Sequence, residues 1–139
     1  ARSRVLMWCL AQSLRFTVCQ RLPTAYGYVT RRPIDPTIMR SYTRSIRVNT
    51  LARADLARML RAVDPRETFR AAERLRHFDK PALVLWAQDD RIFPREHGRR
   101  LAELLPQGRF DVIPDSRTFV PEEQPEMLAE YIGDFIAHG

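Results

Sequence analysis

The sequence predicts an α/β fold: a mainly helical region, residues 1–78, followed by strand–helix–strand–helix of a parallel sheet in residues 79–139. Two observations carry this. Apolar residues recur every three to four positions through most of the first part, which is the helical period. PALVLW (81–86) is instead a continuous apolar run of strand length, bounded by Pro81 and by acids after it. A strand apolar on both faces belongs in the middle of a parallel sheet covered by helices. The 139 residues suit one domain.

The elements follow in order. Residues 4–22 place Val5, Leu6, Cys9, Leu10, Leu14, Val18 and Leu22 at helical spacing, and Pro23 and Gly27 end the pattern. PTAYGYVTRRP (23–33) is a loop. Asp35-Pro36 opens the next helix, with the acid as N-cap and the proline in the first turn. Ile38, Met39, Tyr42 and Ile46 share one face of it. A third helix is expected from about Arg53 to Val63, striped by Leu56, Met59, Leu60 and Val63. Asp64-Pro65-Arg66-Glu67 is a capping-box start, and that helix ends near His77. After the first strand, Pro94 opens a helix carrying Leu101, Leu104 and Leu105, which stops at Pro106-Gln107-Gly108. FDVI (110–113) is the second strand. A closing helix runs from about Glu122 to Ala137, with Met127, Leu128, Tyr131, Ile132, Phe135 and Ile136 on one face. Strand–helix–strand implies a right-handed parallel crossover. Two strands do not make a stable sheet alone, so PALVLW wants further neighbours.

Composition narrows the function classes. The net charge of +6 is uneven. Residues 1–61 hold 12 Arg against Asp35 and Asp55, whereas residues 62–139 hold 11 Lys and Arg against 15 acids. A basic half suits nucleic acid or an anionic surface. Here the arginines are dispersed without interleaved aromatic residues, which reads as solvated faces rather than a base-stacking platform. No nucleic-acid or membrane partner is expected. No segment is long and apolar enough to span a membrane. Residues 1–34 lack acids, as transit peptides do, but a plain helix accounts for them and the chain reads as cytoplasmic. Cys9 and Cys19 lie ten residues apart, about 15 Å along a helix, too far for a disulfide. Two free, buried thiols are expected. No Cys-x-x-Cys, paired histidines or glycine-rich phosphate loop occurs, so no metal or cofactor is expected.

In open parallel sheets, reactive groups gather at the carboxyl ends of the strands. Those ends are WAQDDRIFP (86–94), with Asp89 and Asp90, and IPDSRTFVP (113–121), with Asp115, Ser116 and Thr118. FDKPALVLWAQDDRIFP, a helix, FDVIPDSRTFVPEEQPE and a closing amphipathic helix together resemble the C-terminal part of an α/β-hydrolase. In that family a G-x-x-D-x-x-x-P pattern carries the triad acid, and the loop after the last strand carries the triad histidine. The resemblance covers residues 78–137. It makes residues 1–78 a helical cap or lid and residues 79–139 the C-terminal part of the core.

Carried over, Ala87 stands at the glycine position, Asp90 at the acid position and Pro94 at the proline. The competing reading of Asp89 and Asp90 is that they cap the following turn. Thr118 stands where the histidine belongs, and a threonine hydroxyl is no general base near neutral pH. His77, His97 and His138 lie on the wrong elements to replace it. No G-x-S-x-G nucleophile elbow occurs, and the family order places it upstream of residue 1. The resemblance therefore implies a hydrolase of a small apolar substrate, such as an ester, lactone, epoxide or haloalkane, with a degenerate triad. The alternative is a non-catalytic relative that binds a small ligand or partner. The 139-residue chain alone is expected to be inactive and marginally folded, with an exposed strand edge. Trp8, Phe16, Tyr26, Tyr28 and Met39 are candidates for an apolar pocket, with core packing as their simpler use. The oligomeric state is open.

Overall fold

The computed structural model describes residues 2–23 and 25–138, with side chains from residue 5 onwards; Ala1, Thr24 and Gly139 lie outside it. The described chain divides into two compact units, Ala1–Gly27 with Pro33–Asp64, and Tyr28–Arg32 with Pro65–Gly139.

The first unit is helical. α1 (Arg2–Ser13) and α2 (Thr17–Gln20) replace the single helix expected over 4–22. The break falls where Ser13 turns its hydroxyl onto the Leu10 carbonyl at 2.7 Å and Phe16 becomes extended. Serine competes in this way with the helical hydrogen-bond ladder. The chain then folds back, and Gly27 is required there, because a Cβ would sit 2.0 Å from the Arg21 carbonyl oxygen.

α3 (Pro36–Val48) starts as expected: Asp35 Oδ1 accepts from the backbone N–H of Thr37 at 2.7 Å and of Ile38 at 3.3 Å. α4 (Thr50–Ala62) starts three residues before the expected Arg53. Asn49 both ends α3 and caps α4, accepting from Leu51 N at 2.8 Å. Arg53 then donates to the carbonyls of Ile46 and Arg47, which α3 leaves open at its end. The Gln12 amide also donates to Arg47 O, tying α1 to α3.

The four helices bury little. Ala11, Met39 and Thr43 lie inside, whereas Ile38 and Tyr42 from the expected α3 stripe remain 39% and 43% exposed. The thiols are free, but Cys9 is exposed and Cys19 half-buried. The expectation of buried thiols fails because helical spacing fixes which face of α1 is apolar, not whether that face is covered.

The second unit holds α5 (Pro65–Leu75), β1 (Ala82–Ala87), α6 (Arg95–Leu104), β2 (Gly108–Ile113), α7 (Val120–Glu123) and α8 (Pro125–His138). β1 and β2 pair in parallel, with Val84 opposite Phe110 and Ala87 opposite Ile113. β2 begins two residues before the expected FDVI. The expected single closing helix is broken at Gln124, whose φ of −140° is not helical. A residue before proline is driven out of the α region, and Pro125 then starts α8.

α6 packs on the strands through Val84, Ala102 and Leu105, joined by Leu75, Trp86 and Phe110. Gly98 lets the helix lie this close, since a Cβ there would fall 2.5 Å from Trp86 Cε3 and 2.8 Å from Phe110 Cε2. No α8 residue is fully buried, and Ile136 is 78% exposed. Among the described residues, no helix is long and apolar enough to cross a membrane.

Candidate functional site

The parallel register brings the ends of β1 and β2 level, so the loops that follow them lie side by side. Two backbone bonds extend the pairing past the strands: Gln88 N–H to Ile113 O and Asp89 N–H to Ser116 O, both 3.0 Å. The Gln88 side-chain oxygen accepts from Asp115 N–H at 3.0 Å. Asp115 adopts φ 50°, a left-handed conformation that aspartate tolerates better than most residues. Ser116 is fully buried beneath this turn, its hydroxyl donating to Ile113 O at 2.7 Å.

Asp90 and Thr118 meet. Thr118 Oγ1 donates to Asp90 Oδ1 at 2.9 Å, with both side chains partly buried. The same Asp90 oxygen accepts from the backbone N–H of Ile92 at 2.8 Å and of Phe93 at 2.9 Å. Turn capping and contact with residue 118 thus coexist on one atom. Two backbone donors fix the carboxylate, and its rim faces the second loop. A hydrogen-bond donor held on a buried-edge carboxylate is the relation an acid bears to the imidazole it orients. A hydroxyl there supplies the donor but no titratable nitrogen.

Asp89 points elsewhere. It pairs with Arg31 Nη1 at 2.6 Å, and the same nitrogen lies 3.2 Å from Asp115 Oδ1. Sequence reasoning did not find Arg31, which lies 58 residues from Asp89 and belongs to no motif. Nor did it single out Glu123, which sits inside the run FDVIPDSRTFVPEEQPE. Glu123 accepts from the backbone N–H of Arg117 at 2.6 Å and from that of Arg31. His77, His97 and His138 are all exposed. Among the described residues, no group of three or more His, Cys, Asp or Glu is placed to hold a metal ion.

Of the five apolar pocket candidates, Met39 is core. Trp8 is half exposed, and Phe16 is 65% exposed rather than packed inside. Trp8 lines a cleft of about 830 Å³ within the first unit, between Val5 and Met7 of α1 and Leu51, Ala57 and Arg61 of α4. Tyr28 carries the Arg91 guanidinium 6.0 Å above its ring. Burial raises the Tyr26 phenol above its ordinary value.

No protein-family model matches the chain. It is similar to the uncharacterized hydrolase YugF of Bacillus subtilis (strain 168), with 41% identity over 78 residues, 56% of this chain and 29% of that protein. It is also similar to a 2-hydroxy-6-oxononadienedioate/2-hydroxy-6-oxononatrienedioate hydrolase of Paraburkholderia phymatum, with 32% identity over 91 residues, 63% of this chain and 32% of that protein. The chain thus spans about a third of the length of these curated relatives. Its fold is that of a thermophilic esterase from Thermogutta terrifontis, with a TM-score of 0.62 and 23% identity, covering 98% of this chain and 50% of the esterase chain. Helices, the parallel β1–α6–β2 unit and a closing helix give the chain the fold of the C-terminal portion of an α/β-hydrolase.

Proposed function

We propose that the chain is the cap and C-terminal core of an α/β-fold hydrolase acting on a small apolar substrate, an ester, lactone, epoxide or similar. Asp90 holds the triad-acid position and Thr118 the histidine position. Residues 1–78 form the cap, and the nucleophile comes from outside the 139 residues. The observation that carries the reading is the 2.9 Å hydrogen bond from Thr118 to Asp90 across the ends of two adjacent parallel strands. It gives residue 118 the contact that a triad histidine makes with its acid. The relatives' names add unsaturated oxo-acids to the substrates worth assaying.

Thr118 itself favours a second reading, a relative that binds a small ligand without turning it over. A threonine cannot take the proton of a serine nucleophile near neutral pH. The two readings separate in one experiment on the full-length natural protein, assayed with p-nitrophenyl acetate and butyrate. The hydrolase reading expects Thr118→His to raise turnover by about tenfold or more, and Asp90→Asn in that background to cancel the gain. No turnover in either form, with a bound ester or acid detected by calorimetry, supports the non-catalytic reading.

A further inference from the structure

The short segment Tyr28–Arg32 has no regular structure, yet it touches both loops of the candidate site. Val29 and Thr30 are each 8% exposed. Phe119 N–H donates to Val29 O at 2.9 Å, and Arg117 Nη1 donates to Thr30 O at 2.9 Å. Thr118 is therefore flanked on both sides by residues bound to this strap. On the other loop, Arg31 Nη1 holds Asp89, the neighbour of Asp90. The strap thus reaches the residue next to each member of the Asp90–Thr118 pair.

Glu123 closes the circuit. Its Oε2 accepts from Arg117 N–H at 2.6 Å, and its Oε1 accepts from Arg31 N–H and, at 3.4 Å, from Arg32 N–H. One partly buried carboxylate satisfies donors on the Thr118 loop and on the strap at once. Hydrogen bonds to an ionised acceptor are about twice as strong as neutral ones; Asp115 also reaches the strap, 3.2 Å from Arg31 Nη1, but through an exposed side-chain pair, whereas Glu123 holds backbone donors of both segments. Glu123 sits at the end of α7, immediately before the break at Gln124, so α7 delivers it and Pro125 fixes where α7 stops.

We infer that Glu123 is a positioning residue: its carboxylate locks the strap 28–32 against the Thr118 loop and thereby sets the contact of residue 118 with Asp90. This rests on the reading of Asp90 and Thr118 as the site, but its test does not use turnover, so either can fail alone.

The test is NMR on the full-length natural protein, isotope-labelled over these 139 residues, comparing wild type with Glu123→Ala and Glu123→Gln and using Glu126→Ala as an exposed-acid control. Three signals are read: hydrogen exchange of the Arg31 and Arg117 amides, the Asp90 carboxyl carbon shift, and exchange of the β1–β2 ladder amides. Glu123→Ala is expected to speed exchange at Arg31 and Arg117 by about tenfold or more and to shift the Asp90 carbon, with the ladder unchanged. A glutamine has one acceptor oxygen where glutamate has two. Glu123→Gln should therefore keep protection at one of the two amides and lose it at the other. Protection kept at both amides in Glu123→Gln overturns the inference, and this variant decides if Glu123→Ala does not fold. An unmoved Asp90 carbon in Glu123→Ala, or ladder amides exposed to the same degree, also overturns it, the last by reducing Glu123 to a general structural role.

Discussion

Gly98→Ala sets two known effects against each other. In a helix interior, alanine is more favourable than glycine by about 1 kcal/mol. The structure opposes this. The new methyl would lie 2.5 Å from Trp86 Cε3, 2.7 Å from Trp86 Cδ2 and 2.8 Å from Phe110 Cε2, whereas carbon atoms prefer about 3.5–4.0 Å. A ring must therefore move by roughly 1 Å. Trp86 is not free to swing, because its Nε1–H donates to Phe93 O at 2.9 Å in the loop that also carries Asp90. Overpacking of this kind costs about 1–3 kcal/mol, so the steric cost wins and the variant should be less stable by about 1 kcal/mol. Gly98→Val adds two further methyls and gives up most of the propensity gain, so it should cost about 3 kcal/mol. The assay is urea unfolding followed by Trp86 fluorescence in a Trp8→Phe background. A Gly98→Ala chain more stable than its parent would refute the close packing of α6 on the strands.

The helical unit offers two further checks. Backbone N–H groups of Thr37 and Ile38 hold the Asp35 carboxyl below its ordinary value. A lowered folded value means that its stabilising contribution is present above the unfolded carboxyl range, near pH 4, and disappears as the pH falls through the lower folded value. Helix content measured by circular dichroism should accordingly drop more steeply below pH 4 in the wild type than in Asp35→Asn. Asn49→Ala removes the cap between α3 and α4 and should cost about 1 kcal/mol in urea unfolding; an unchanged midpoint would contradict the capping role.

What the sequence made legible was local. Asp35-Pro36 marks a helix start by chemistry within three residues, and PALVLW marks a strand by composition alone. Asn49 was equally local, but the apolar stripe drew attention to Arg53 instead. The break at Gln124 was readable from Pro125, since the residue before a proline leaves the helical region; the apolar face running through it hid the signal. Burial was harder to read. The stripes on α1, α3 and α8 predict which face is apolar, not whether anything covers it, and Cys9 and Ile136 remain exposed. At the candidate site, Asp90 and Thr118 were singled out through the family register and the strand-end rule. Arg31 and Glu123 were not, because a single charged residue carries no spacing signal when its partner lies 58 or 92 residues away.

If residue 118 stands where a histidine would be oriented by Asp90, an imidazole placed there must feel that carboxylate. The most direct measurement is an NMR titration of the imidazole introduced by Thr118→His, with and without Asp90→Asn. A carboxylate within hydrogen-bond reach raises an imidazole above its ordinary value of about 6.5, by about one unit or more. The imidazole should titrate above its ordinary value with Asp90 present and return towards about 6.5 with Asp90→Asn. A titration indifferent to Asp90 would contradict that placement.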